Sequence, residues 1–242
     1  MAQITRRELL KAAALLPAAA AGVAAPITFV PRNMPSAGGN PPDYASPGSA
    51  FLTADERAFV EAAVARIIPA DDLGPGAREA DVAVFIDRQL GGPYGSGETW
   101  YMQGPWQKGT EQQGYQLKLA PAQLYRTVIA AIEAHVKQAN GGKRFAELET
   151  HAQDELFHGL ESGKVKIEGD LGKDFFKMLV QNTVEGFLAD PIYGGNREFI
   201  GWKLIGFPGP RYNYVAEIEQ YGRKYAMPVV GLAGRDAPTK EA

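Results

Sequence analysis

The sequence predicts a mostly α fold: a single small helical domain with long Gly- and aromatic-rich loops and an extended N-terminal strap. Three observations carry this. Apolar residues recur every three to four positions over five windows, the period of a helix that buries one face. Proline or a Gly/Asn pair closes four of those windows. Alternating strand patterns are scarce, with Lys164-Val165-Lys166-Ile167 a weak candidate.

The elements follow in order. Order begins at Phe51, and Thr53 with Glu56 three residues on forms a capping box. The pairs Phe59/Val60, Ala63/Val64 and Ile67/Ile68 repeat every four residues until Pro69. Val82, Phe85, Ile86 and Leu90 mark a second, short helix closed by Gly91-Gly92. Leu124, Val128, Ile132 and Val136 mark a third, with Asn140-Gly141-Gly142 as its cap. A fourth places Phe145, Leu148, Ala152, Leu156 and Leu160 on one face. In the fifth, Phe175/Phe176, Leu179/Val180, Thr183/Val184 and Phe187/Leu188 form the stripe, and Pro191 stops it. A sixth is expected over Arg197–Leu204, with Asn196 as cap. No internal repeat is present.

Composition narrows the function classes. The chain has 242 residues, 45% hydrophobic and 22% charged, values ordinary for a globular protein. That excludes a disordered or fibrous chain. The net charge of −3 argues against nucleic acid as a partner, because phosphate binding needs a basic surface. Zero Cys excludes a disulfide framework, a thiolate metal site, an iron–sulfur cluster, a c-type haem attachment and a Cys nucleophile. Three His make a His-rich metal centre hard to build.

Residues 1–24 are identified as a twin-arginine export signal. Arg6 and Arg7 sit in frame with Thr5 and Lys11, ahead of an Ala-rich apolar run and the small residues Gly22-Val23-Ala24. Cleavage is expected after Ala24, since Pro26 is a poor residue directly after a cut. The plainer alternatives are a general-secretion signal or an uncleaved anchor. An anchor needs roughly 20 apolar residues, and Pro17 and Pro26 interrupt the run. Residues 25–50 are a Pro/Gly-rich linker or strap, 51–215 the helical domain and 216–242 a C-terminal tail.

Two stretches break the helical pattern. Residues 91–116 hold seven Gly with Tyr94, Trp100, Tyr101, Trp106 and Tyr115; residues 192–214 hold Tyr193, Phe199, Trp202, Phe207, Tyr212 and Tyr214. Aromatics on Gly-rich backbone suit a partner-facing surface. The competing reading is that they fold inward and plug a small core.

Sequence signs of catalysis are missing. Gly95 and Gly97 would need a third Gly at position 100, where Trp100 stands, to make a dinucleotide fingerprint. Ser96 lacks the nucleophile-elbow pattern because Tyr94 breaks it. Neither a P-loop nor a His-Glu-x-x-His pair occurs. Glu155 and His158 form one Glu-x-x-His step, with His151 two turns earlier, but di-iron bundles use that step twice. A solvated helix face is the stronger reading of it.

One long pattern is specific. Gly186-Phe187-Leu188-Ala189, then Asp190-Pro-Ile-Tyr-Gly-Gly-Asn196, then Gly201-Trp-Lys-Leu-Ile-Gly-Phe-Pro-Gly209 resembles the hallmark of the gluconate 2-dehydrogenase subunit 3 family. Leu52-Thr53, Ile67-Ile68-Pro69-Ala70 and the leader are similar to it too, so the resemblance covers roughly residues 50–215. The tail after Tyr214 does not match. The resemblance implies a small, cofactor-free, non-catalytic subunit of a membrane-bound periplasmic dehydrogenase on the outer face of the bacterial inner membrane. A large partner would carry FAD and oxidise a sugar or sugar acid. A multihaem c-type cytochrome partner would pass electrons to quinone, and the twin-arginine translocase would export the assembly. Trp100, Trp106, Tyr193, Asn196, Trp202 and Phe207 are then expected as partner contacts, with no catalytic, cofactor or metal residue in this chain. An alternative gives Tyr193, Asn196 and Arg211 a place at a shared substrate entrance. A third makes Glu155 and His158 ligands of an independent metal protein.

Overall fold

The computed structural model describes residues 51–107, 109–223, 225 and 227–233. The expected export signal with Arg6 and Arg7, the expected strap at 25–50 and the end of the expected tail lie outside the described residues. Within them the fold is mostly α, as expected: α1 (Ala54–Ile67), α2 (Val82–Leu90), α3 (Pro93–Ser96), α4 (Pro121–Ala139), α5 (Thr150–Glu161), α6 (Leu171–Leu188) and α7 (Ile200–Ile205), with no strand among the described residues.

Local signals set the boundaries. The Glu56 N–H donates to Thr53 Oγ1 at 3.3 Å and the Thr53 N–H to Glu56 Oε2 at 2.8 Å, so two orphan donors of α1 are satisfied. Pro121 occupies the first turn of α4, where its missing N–H costs nothing, and Asn140 caps the other end. The buried carboxylate of Asp87 accepts the Phe51 and Leu52 N–H groups, both at 2.8 Å. Arg126 donates to the Phe51 carbonyl at 2.7 Å and lies over its ring. These contacts fix where the described chain enters the domain.

Helix α6 is the centre of the fold and touches α1, α2, α4, α5 and α7. Its buried face runs through Phe175, Met178/Leu179, Asn182/Thr183 and Gly186/Phe187. The stripe read from sequence is thus rotated by about one residue, and Phe176, Val180, Val184 and Leu188 flank it half-buried. Aromatic rings chain through the core: Phe59 meets Phe145 at 4.7 Å and Phe175 at 6.2 Å, and Tyr125 meets Phe175 edge-on at 5.0 Å. Beside Tyr125, the buried Asn182 amide accepts from the Tyr94 hydroxyl at 3.0 Å and donates to the Tyr125 hydroxyl at 2.9 Å. Burial pushes both tyrosine pKa values up.

Three local expectations are corrected. Helix α5 starts at Thr150, because Leu148 is extended and Phe145–Glu147 is a separate 3-10 turn. That turn aims the Phe145 ring into the core, and Gln153 holds it by donating to the Phe145 carbonyl at 2.9 Å. The sixth helix splits into a 3-10 turn (Arg197–Phe199) and α7, since Glu198 and Phe199 have φ of 54° and 60°. Residues 164–167 are irregular backbone between two turns: the Val165 N–H donates to the Gly159 carbonyl and the Gly172 N–H to that of Ile167.

Candidate functional site

The candidate site is the segment from Asp190 to Gly209, folded back over the C-terminal end of α6. A helix end leaves carbonyls without partners. Here side chains from downstream supply the donors. Asn196 Nδ2 donates to the Ala189 carbonyl at 2.8 Å and Trp202 Nε1 to the Leu188 carbonyl at 2.7 Å. Asn196 Oδ1 accepts the Gly201 N–H at 2.8 Å, which also satisfies the first turn of α7. Asn196 adopts φ 49°, a left-handed conformation that Asn tolerates better than most residues.

Glycines permit the close approach. A Cβ on Gly195 would lie 2.1 Å from the Gly186 carbonyl oxygen, and one on Gly201 1.9 Å from that of Phe187. The motif therefore sits on the last turn of α6 backbone to backbone. Trp202 stacks on Phe199 at 5.4 Å and meets Phe207 edge-on at 5.0 Å. Two further contacts join the motif to the α2 region: Arg88 donates to the Ile192 carbonyl at 3.4 Å and the Arg197 N–H to that of Ala80 at 3.1 Å.

The buried Asp190 carboxylate holds two turns at once. It accepts the Ile192 N–H at 3.0 Å and, from far down the chain, the Leu232 N–H at 2.7 Å. The chain between closes as a loop. The Val230 N–H donates to the Pro208 carbonyl at 3.3 Å, and Gly209 lies so close to Val230 that a Cβ would be 1.8 Å from its oxygen. Arg211 donates to the Pro228 carbonyl and lies 5.6 Å from the Tyr225 ring. Tyr214 donates to the Gly209 carbonyl.

The residues expected at a partner surface separate into two groups. Tyr193 and Phe207 are exposed at the rim of the motif. Asn196 (0% exposed) and Trp202 (5%) are inside the chain. Capping the end of α6 uses both ends of the Asn196 amide and the Trp202 indole N–H. Trp100 is half-buried, held between Tyr94 at 5.5 Å and Tyr115 at 4.9 Å, against the core. Trp106 is half-buried, and the neighbouring Tyr101 is exposed. Sequence reasoning marked Tyr212 within the aromatic stretch 192–214 but took 216–242 for a tail, and so missed that Ile218, Tyr221 and Met227 continue the exposed apolar run of Tyr212 and Val215. The available signal was the density of apolar residues in that tail.

Two other places gather ionisable side chains. His151 pairs with Glu155 and His158 with Glu161, each at 3.7 Å, on exposed faces. Among the described residues no group of three or more His, Asp or Glu converges as a metal ligand set would. A shallow cavity of about 360 Å³ between α1 and α4 is lined by Asp55, Glu56, Ile129, Glu133, Lys137 and Arg144. Burial pushes the Glu133 carboxyl pKa up, against the Phe145 N–H that donates to it and the nearby Lys137 and Arg144 charges. Among the described residues no helix is long and apolar enough to cross a membrane.

No curated protein and no solved structure matches the chain. The model of one family, gluconate 2-dehydrogenase subunit 3, matches residues 54–209, from the first turn of α1 to the glycine that ends the motif. That is well over half of the chain and all of the folded core built above, so the chain belongs to the gluconate 2-dehydrogenase subunit 3 family.

Proposed function

We propose that this chain is the non-catalytic small subunit of a membrane-bound periplasmic dehydrogenase of the gluconate 2-dehydrogenase type. In this reading it supports the folding, assembly and twin-arginine export of a flavoprotein subunit. That larger subunit binds FAD and oxidises a sugar or sugar acid, and a multihaem c-type cytochrome takes the electrons. Family membership supplies the setting, an accessory subunit of a dehydrogenase complex. The observation that carries the role is how the motif is used. Asp190, Asn196 and Trp202 are committed to hydrogen bonds within the chain, while exposed apolar side chains ring them. A motif used in this way builds a scaffold for a partner.

The test joins the leader to the partner. Folded export needs one signal per complex, so this chain can carry a flavoprotein that lacks its own. Changing Arg6 and Arg7 together to Lys keeps the charge and removes the planar guanidinium donors. Both subunits are then expected in the cytoplasm, with flavin still on the large one. Normal periplasmic dehydrogenase activity in the double-Lys strain would refute the export role.

A further inference from the structure

We infer that the loop between Gly209 and Leu232 is the element that grips the larger catalytic subunit of the complex and selects it. The inference rests on the accessory-subunit reading above and adds where the partner sits. The loop is closed at its base by Val230 on Pro208, by the close approach of Gly209 to Val230 and by Leu232 on Asp190. Its two ends are thus fixed to the family motif. Its outward side chains, Tyr212, Val215, Ile218, Tyr221, Met227 and Leu232, are all more than half exposed.

Area points to a macromolecular occupant. A buried Tyr contributes roughly 150–250 Å². With four aliphatic neighbours the loop offers several hundred Å², comparable to the ~800 Å² one partner gives to a standard interface. Scattered surface apolar residues need no explanation, but six on one pinned loop do. Charge argues against a lipid surface: the loop carries Arg211, Arg223 and Lys224 against Glu217 and Glu219, a net charge of +1, far short of the cluster of roughly four to eight basic residues that anionic headgroups attract. Family membership favours another subunit over a second copy of this chain, because the chain is one component of a dehydrogenase complex.

Selection follows from where the family match ends. It stops at residue 209, so the scaffold is the family's and the loop lies beyond it. A shared core that holds a private apolar loop is a physical basis for pairing with one catalytic subunit and rejecting those of related complexes.

The full chain, co-expressed with the flavin-binding subunit of the proposed complex, supplies the test. Tyr212→Ser, Ile218→Ser and Tyr221→Ser are combined, and Tyr101→Ser, an exposed aromatic outside the loop, is the control. The triple variant is expected to keep its far-UV circular dichroism and melting temperature and to lose at least tenfold in co-purified flavoprotein; the control loses none. In the wild-type complex, nitration of Tyr212 and Tyr221 by tetranitromethane is expected to fall at least fivefold relative to the chain alone, a readout independent of any variant's folding. Wild-type yield of the complex from the triple variant, or undiminished nitration, overturns the loop assignment and leaves the accessory reading standing. A homodimer that the triple variant disperses likewise overturns the loop assignment alone, and a wild-type chain that binds no flavoprotein overturns both.

Discussion

The Leu232 N–H donates to Asp190 Oδ2 at 2.7 Å, joining residues 42 positions apart, while the other oxygen of the same carboxylate accepts the Ile192 N–H. One buried side chain thereby sets the stop after α6 and the attachment of the C-terminal loop.

Asp190→Ala should cost about 2–4 kcal/mol in urea unfolding, since hydrogen bonds to a charged acceptor contribute roughly 1.5–3 kcal/mol each and the freed N–H groups recover part by meeting water. Asp190→Asn keeps acceptor capacity without the charge and should lose about half as much. Limited proteolysis should cut the Ala variant first between Gly209 and Val230. Equal stability of the Ala variant and the wild type would count against the double role.

Glycine positions should divide sharply. Gly195→Ala and Gly201→Ala each drive a methyl into a carbonyl of α6 and are expected to cost about 3 kcal/mol or more, or to give insoluble protein. Gly92→Ala, whose Cβ would meet nothing closer than 3.4 Å, should stay within about 1 kcal/mol of wild type. Thermal melts of the three variants check the contrast.

Asn182→Ala removes the one amide that partners both the half-buried Tyr94 and the buried Tyr125. Tyr125 has no exposed surface, so its hydroxyl cannot find water, and a loss of about 3 kcal/mol is expected. In a double-mutant cycle with Tyr125→Phe, a coupling of about 1 kcal/mol should appear. A cycle that closes with additive losses would mean that the network carries no energy of its own.

Glu133 gives the pH test. Desolvation raises its folded pKa above the ordinary value of a free glutamate. Stability from the protonated form is therefore complete below that value and is lost as pH rises through the folded pKa. Glu133→Gln keeps an oxygen for the Phe145 N–H and stays neutral. It should be more stable than wild type at pH 7, by under about 1 kcal/mol because the group is partly solvated, and equal to it near pH 4. Urea midpoints at the two pH values decide this; a Gln variant less stable at pH 7 would reverse the assigned sign.

Five principal helices, the capping box at Thr53 and Glu56, the stop at Pro191 and the family pattern from Gly186 to Gly209 were legible in the sequence. Each is a local property: a 3.6-residue period, a cap three residues long, a proline without an N–H, a run of fixed residue types. The tertiary structure alone decided which way the aromatics face. Trp202 carries the same local signature whether it points at a partner or at Leu188. It turns inward because Gly195 and Gly201 let the returning chain touch the last turn of α6, which places the indole N–H within reach of an orphan carbonyl. The break at Glu198 and Phe199 arises in that same return. The closure of the loop after Gly209 was illegible for a related reason. Its shape comes from a contact between Asp190 and Leu232, and no period or short motif spans 42 residues.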